Sequence, residues 1–200
     1  MLTPDSPPLL TADLPGLGGV IKQQPEDFEV EEIPAYEPSG QGEHLFLWIE
    51  KRGMGAEYFA RQVARRLGVA PGDVGTAGMK DRQAVSRQWV SVPASVEVRL
   101  PELEGDGIRV LKANRHNNKL RPGHLHGNRF RILIRNVDTR QLALLEPILE
   151  RVRSHGLANF YGAQRFGRDG ETLQIGLAML RGEKPAKRPN PFLRKLALSA

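Results

Sequence analysis

A single carboxylate, Asp81, lies between Lys80 and Arg82 at the end of a glycine-containing segment. The neighbouring cations favour the ionised carboxylate, and Gly75 and Gly78 allow sharp turns and the close approach of a ligand. An ionised aspartate in a basic setting can act as a nucleophile or a base on the sugar or base of a polyanion. The same pattern is typical of an exposed turn whose charges are solvated. The segment therefore identifies Asp81 as a candidate catalytic residue.

A second candidate group lies on a strand-like segment, residues 127–137. Side chains alternate along a strand, so Asn128 and Phe130 fall on one face together with Ile132 and Ile134. An amide beside an aromatic ring can hold a nucleobase, because the ring stacks on the base while the amide bonds to a polar edge. Taken alone, packing of Phe130 in the core beside the two isoleucines is the simpler interpretation.

The net charge of +6 hides a strong asymmetry along the chain. Residues 1–50 contain ten acids and one base, Lys22, for a net charge of −9, so residues 51–200 carry +15. Residues 109–137 contain eight Lys and Arg residues and no acid, which is typical of a surface that contacts phosphates, although a solvated basic face is the alternative. The sequence favours a nucleic-acid partner, with candidate contacts to an RNA backbone at Lys112, Arg115, Lys119, Arg121, Arg129 and Arg131.

Composition excludes several classes of protein. The absence of cysteine excludes disulfides, thiolate metal sites and a cysteine nucleophile. No run of about eighteen apolar residues and no signal-like N-terminus is present, so we expect a cytoplasmic protein. The spacing of His116, His124 and His126 matches no usual zinc pattern, and no phosphate-binding glycine motif of the Walker or Rossmann type is present. We therefore expect no bound metal.

The hydrophobic pattern predicts a mixture of strands and helices. Strands are predicted at 19–24, 28–33, 44–51, 87–93, 108–113 and 127–137. Helices are predicted at 55–68 and from an N-cap at Thr139 to about His155, where Gly156 would end the second helix. Because the chain shows no regular βαβ repeat, the pattern indicates an α+β fold with a mainly antiparallel sheet flanked by helices.

Four segments in this order together resemble one family, tRNA pseudouridine synthase D (TruD). The segments are Lys22 with Pro25–Val30, Ala77–Ala84 with Gln88, Gly127–Phe130, and Asn159–Gly167. The resemblance implies a pseudouridine synthase-type mixed sheet and the isomerisation of a uridine in tRNA, at position 13, to pseudouridine. It implies a tRNA partner, no cofactor and no metal, and we expect a monomer.

The resemblance also assigns roles to individual residues. Asp81 matches the catalytic aspartate of the family, and Phe130 matches an aromatic residue that stacks on the base. Asn128 and Phe28 match residues of the active site. Lys22 matches a basic residue that we expect to form an ion pair with the aspartate. In the reaction an N-glycosidic bond breaks, the uracil rotates, and it rejoins the sugar through carbon; whether Asp81 attacks the sugar, attacks the base or removes a 2′ proton stays open.

The chain also departs from the family, whose proteins are considerably longer and carry an inserted domain that begins near the motif at 159–167. We expect an irregular arm at 1–18, the N-terminal part of the catalytic domain at 19–155, and the incomplete beginning of the insertion at 156–200, with an amphipathic helix at 191–200. Position 86 is Ser where Thr is expected. The alternative function is therefore a truncated, non-catalytic RNA-binding module.

Overall fold

The computed structural model describes residues 9–158 and 170–183. The chain divides into two compact units: Gly18–Asp138, and a second unit that contains the described residues of 1–17 and 139–200. The motif at 159–167 and the helix predicted at 191–200 lie outside the described residues. Within the described part of the chain, no helix is long and apolar enough to cross a membrane.

The larger unit is built on a six-stranded mixed sheet. Its strands are β1 (Phe28–Pro34), β2 (His44–Arg52), β3 (Gly75–Thr76), β4 (Val85–Pro93), β5 (Ile108–His116) and β6 (Leu125–Ile132). The strand order is β5-β2-β4-β1-β6, and β3 pairs with β4. Every pair is antiparallel except β1 with β4. This topology confirms the predicted α+β class with a mainly antiparallel sheet.

Helix α1 (Ala56–Leu67) covers one face of this sheet. As the sequence pattern predicts, Phe59, Val63 and Leu67 lie on its buried face and pack against alternate residues of β2 and β4. Burying each large apolar side chain contributes about 1.5–3 kcal/mol to folding. The helix ends at Gly68, whose φ of 66° is the left-handed conformation that glycine adopts without a steric penalty.

The strand predicted at 19–24 is wrong. Only Val20 pairs, through an isolated antiparallel bridge in which it exchanges two 2.8 Å backbone hydrogen bonds with Arg135. Positive φ angles at Gly18, Gly19 and Lys22 turn the backbone out of the extended conformation on both sides of this bridge. The segment is therefore a bent arm whose backbone is held against the chain that follows β6 at Val20.

The second unit contains α2 (Leu145–His155) and α3 (Glu171–Leu180). The helix start predicted at Thr139 is wrong, because Thr139–Leu144 forms a 3-10 helix and α2 begins only at Leu145. Pro147 explains the difference: it lies in the first turn of α2, where its missing N–H is tolerated, whereas farther inside a helix its ring would clash with the preceding turn. The predicted end of α2 at Gly156 is confirmed.

Candidate active site

Asp81 lies in the loop between β3 and β4, residues 77–84, which we call the aspartate loop. The loop backbone is tied to its surroundings on both sides of the turn. The carbonyl of Ala77 accepts a 2.8 Å hydrogen bond from the N–H of Gly123, and the carbonyl of Asp81 accepts a 3.1 Å hydrogen bond from Lys51 Nζ. The backbone of the loop at Asp81 is therefore held by neighbouring elements.

The side chain of Asp81 forms an ion pair with Lys22. The Nζ to Oδ2 distance is 2.8 Å, and the two side chains are 27% and 54% exposed, so the pair is open to a ligand. Lys22 has a φ of 58°, an uncommon conformation for a residue that is not glycine, asparagine or aspartate. Such local strain is often found at functional sites, where the surrounding structure supports it. The ion pair expected from the sequence is present.

Two aromatic rings extend this pair. Lys22 Nζ lies 3.9 Å from the ring centroid of Phe28, and that ring lies 5.8 Å from the ring of Phe130. The register pairs Val30 with Phe130, so Phe130 lies on the same face of the sheet as Val30. Phe130 is 55% exposed, which excludes the simpler interpretation that its ring is buried in the core. The ion pair thus contacts the buried ring of Phe28, and that ring contacts the exposed ring of Phe130.

Asn128 lies two residues from Phe130 on the same face of β6, opposite Glu32. Its Oδ1 atom is buried and has no hydrogen-bond partner among the described residues, and the same is true of Ser86 Oγ and Gln88 Oε1 on β4. Buried polar atoms in folded proteins are nearly always hydrogen-bonded. Of these atoms, Asn128 Oδ1 lies on the same strand face as Phe130 and offers hydrogen-bonding capacity to a polar ligand at that ring.

Strands β1 and β4 are neighbours for only a short stretch. They pair only from Glu29–Val85 to Glu31–Arg87, and farther along β4 its partner on this edge is β3. Glu32 closes the gap: Oε1 accepts a 3.2 Å hydrogen bond from the backbone N–H of Trp89, and Oε2 lies 2.6 Å from Lys80 Nζ. The side chains of this second ion pair are only 2% and 0% exposed, so the residue before Asp81 is anchored in the interior.

Lys51 is a functional candidate that the sequence pattern missed. It is fully buried, and its Nζ donates to the carbonyls of Met54, at 2.6 Å, and Asp81. Burial lowers the pKa of Lys51 to about 8, although the nearby Asp81 charge favours its protonated form. The sequence offered one signal for Lys51, its position near the end of a largely apolar strand. A lysine is almost never fully buried without a specific partner.

Three of the six predicted RNA-backbone contacts lie in exposed ion pairs: Arg115 with Glu97, Arg129 with Glu31, and Arg131 with Glu29. Lys119 donates to the carbonyl of Gly72. Lys112 and Arg121 have no ion-pair partner among the described residues. Exposed ion pairs contribute only about 0–1 kcal/mol, so these arginines can still exchange a carboxylate for a phosphate.

The described residues also bear on a metal site. Within 9–158 and 170–183, no group of three or more His, Asp or Glu side chains is arranged to hold a metal ion. His124 instead bonds to a tyrosine hydroxyl, with 2.7 Å between Nδ1 and the oxygen of Tyr36. Beside the Asp81 carboxylate lie the Lys22 ammonium group and, next to it, the rings of Phe28 and Phe130.

Comparison with known proteins identifies the family of this chain. The family model of tRNA pseudouridine synthase D (TruD) matches residues 8–186. A protein named tRNA pseudouridine synthase D from Anaeromyxobacter is 46% identical over 197 residues, covering 96% of this chain and 56% of the relative. One of the same name from Thermus thermophilus is 44% identical over 202 residues, covering 98% of this chain and 55% of the relative.

The fold is shared with a crystal structure from Methanosarcina mazei that is named for the same synthase. The TM-score is 0.74 at 31% identity, covering 88% of this chain and 41% of that one. The chain spans about half the length of the curated relatives that it matches. Because the family model matches most of the chain and the site residues lie together around Asp81, the chain belongs to the tRNA pseudouridine synthase D family.

Proposed function

We propose that this chain carries the catalytic aspartate of an enzyme that isomerises a uridine of tRNA, at position 13, to pseudouridine. The observation that carries the proposal is the continuous contact from Asp81 through Lys22 and Phe28 to the exposed ring of Phe130. The names of the relatives support the reaction, and this chain matches a little over half of the length of each of them.

Each residue of the site has a separate role in the proposed reaction. A uridine leaves its stack in the RNA, at a cost of a few kcal/mol, and its ring stacks on Phe130. The unpartnered Oδ1 of Asn128 accepts a hydrogen bond from the polar edge of the uracil. Asp81 attacks the sugar or the base, or removes the 2′ proton, while the Lys22 ammonium, 2.8 Å away, holds its carboxylate in place. Phe28 supports both Lys22 and Phe130.

We propose further that the tRNA backbone is bound by the cations of the basic segment: Lys112, Arg115, Lys119, Arg121, Arg129 and Arg131. Each phosphate contact releases condensed counterions, so the logarithm of the binding constant falls with the logarithm of salt concentration. Replacing Arg129 and Arg131 with glutamine should reduce that slope by about 1–2. A titration of labelled tRNA at several salt concentrations measures it, and an unchanged slope would place the RNA elsewhere.

The reaction is tested by tritium release from tRNA transcripts labelled at C5 of uracil, with the wild-type chain and Asp81→Asn compared side by side. We expect release by the wild type and a loss of about 10³-fold or more in the variant, because the reacting carboxylate is gone. The affinity for tRNA should stay within about twofold, since phosphate contacts dominate affinity.

Two results would contradict the proposal. Equal release by the two proteins would remove Asp81 from the reaction. Absence of release from a folded wild-type chain that binds tRNA would favour a non-catalytic RNA-binding module, and the same assay on a full-length relative would then show whether the remaining half supplies activity.

A further inference from the structure

A second polar pocket lies apart from Asp81, at the end of the sheet where β2 begins and β5 ends. Its volume is about 660 Å³. None of its lining residues belongs to the group formed by Asp81, Lys22, Phe28 and Phe130. The lining is made of one tyrosine, one glutamate, three histidines, two asparagines and two cations: Tyr36, Glu37, His44, His116, Asn117, Asn118, Lys119, Arg121 and His124.

The hydrogen bonds define the protonation of His116. Its Nδ1 accepts a 3.1 Å hydrogen bond from the backbone N–H of Ser39, so the proton of the neutral ring is on Nε2. Burial, and then the neighbouring His44, lower the pKa of His116, which favours this neutral form. The ring therefore presents an Nε2–H donor while its other nitrogen is already occupied.

Two rings of the pocket stack on each other. His116 stacks on Tyr36 with 5.1 Å between centroids and a tilt of 22°, and it also lies 4.6 Å from Phe46. Tyr36 in turn contacts His124 at an edge-to-face angle and through its hydroxyl. The faces that Tyr36 and His116 turn toward each other are closed to a nucleobase, and the polar side chains of the lining are suited to a ligand that accepts hydrogen bonds.

The charges favour an anion. Lys119 uses one of its three ammonium protons on the carbonyl of Gly72 and keeps two, and the exposed Arg121 has no ion-pair partner among the described residues. Asn117 and Asn118 add amide donors, and Glu37 is the one carboxylate in the lining. His44 Nδ1 is buried without a hydrogen-bond partner in the described chain, so a further polar contact is available there.

From this arrangement we infer that the pocket binds a phosphate group of the RNA backbone, at a position distinct from the nucleotide that enters the active site. The inference rests on the proposed function, because tRNA is the source of the phosphate. Two cations, amide groups and imidazole N–H donors around one cavity are the chemistry that proteins use to bind phosphate. The contact would hold the tRNA at a second point while one nucleotide is turned toward Asp81.

The first test compares the tRNA affinity of the wild-type chain with that of Lys119→Gln/Arg121→Gln. A matched control is Arg61→Gln/Arg65→Gln, which removes the same charge from the exposed side of α1. We expect the pocket variant to bind about tenfold more weakly and to lose about 1–2 from its salt slope. The control should change affinity by less than about twofold. The single variant Arg121→Gln keeps the Lys119 contact to Gly72 and should give about half of the logarithmic loss.

The second test follows the imidazole NMR signals of His116 and His124 while inorganic phosphate is added, and then displaces the phosphate with tRNA. We expect both rings to shift with phosphate and to respond to tRNA. Phosphate binding without competition from tRNA would overturn the inference, because the site would then take a free anion. Equal loss of affinity in the pocket and control variants would overturn it as well.

The two proposals fail separately. If tRNA binding depends on Lys119 and Arg121 but no Asp81-dependent tritium release occurs, the proposed reaction is rejected and the phosphate site is supported. If release occurs while the pocket variant binds tRNA like the wild type, the reaction stands and the phosphate site falls.

Discussion

Lys80 and Asp81 are neighbours in sequence, and each forms an ion pair, yet the two pairs have opposite surroundings. Lys80 pairs with Glu32 at 2.6 Å with both side chains buried, whereas Asp81 pairs with Lys22 at 2.8 Å in contact with solvent. A buried pair becomes costly when one partner is removed, while an exposed pair contributes little to stability. One residue of the aspartate loop therefore fixes the loop, and the next is left available for chemistry.

This comparison separates stability from activity within one loop. A variant of the buried pair should first be measured by unfolding, and a variant of the exposed pair should first be measured by turnover. Lys51 lies between the two cases, because it is buried like Lys80 but bonds to the backbone of Asp81.

The largest expected effect on stability comes from breaking the buried pair. Lys80→Met should lower the free energy of unfolding by about 3–5 kcal/mol, because it leaves the Glu32 carboxylate uncompensated in the interior. Urea unfolding followed by tryptophan fluorescence measures this. The double variant Glu32→Leu/Lys80→Met should recover part of the loss, since neither charge is then buried. A loss below about 1 kcal/mol in the single variant would show that the pair behaves like a surface pair.

Lys51 should give a pH-dependent effect. Its pKa is about 8 in the folded chain and about 10.4 when unfolded. Between these values the unfolded chain binds more protons than the folded one, so stability contributed by this residue rises with pH. Relative to Lys51→Met, the wild-type chain should gain about 2–3 kcal/mol in unfolding free energy from pH 7 to 10.5. Parallel stability curves for the two proteins would contradict the lowered pKa.

The smallest expected effect on stability comes from the exposed pair. Lys22→Met should change the unfolding free energy by less than about 1 kcal/mol. Its tritium release should nevertheless fall about tenfold or more, because Asp81 loses the ion-pair partner that positions its carboxylate. Lys22→Arg keeps the charge and is the control. Unchanged turnover in Lys22→Met would reduce the pair to a surface contact.

Much of this site could be predicted from the sequence, because its motifs are local. Asp81, Phe130 and Asn128 were identified from short segments, and the alternation of β6 correctly placed the last two on one face. The separation of acidic and basic residues along the chain was less informative about where charge lies on the folded protein. The antiparallel register of β1 and β6 brings Glu29 and Glu31 beside Arg131 and Arg129, so acidic and basic segments that are far apart in sequence are adjacent in the sheet.

The roles of Glu32 and Lys51 could not be predicted in the same way. Each lies in a segment that the pattern correctly assigned to a strand, and nothing local distinguishes Glu32 from the exposed acids around it. Its importance depends on where β1 and β4 separate, which is a property of strand pairing over a long stretch of chain. The start of α2 is a different case. Proline is tolerated in the first turn of a helix but not farther inside, so Pro147, and not the possible N-cap Thr139, determines where α2 begins.

The pairing of β1 with β6 has a consequence for how the site forms during folding. The contact of Lys22 with Asp81 spans 59 residues, and that of Glu32 with Lys80 spans 48. Contacts between residues that are far apart in the sequence form slowly during folding, because the long chain between them must first close into a loop. The arm that carries Lys22 is held by the bridge between Val20 and Arg135, and Arg135 follows Phe130 in the chain. Lys22 can therefore be fixed beside Asp81 only after Phe130 has been synthesised. The ion pair and the aromatic surface for the base are thus completed at the same late stage of chain synthesis.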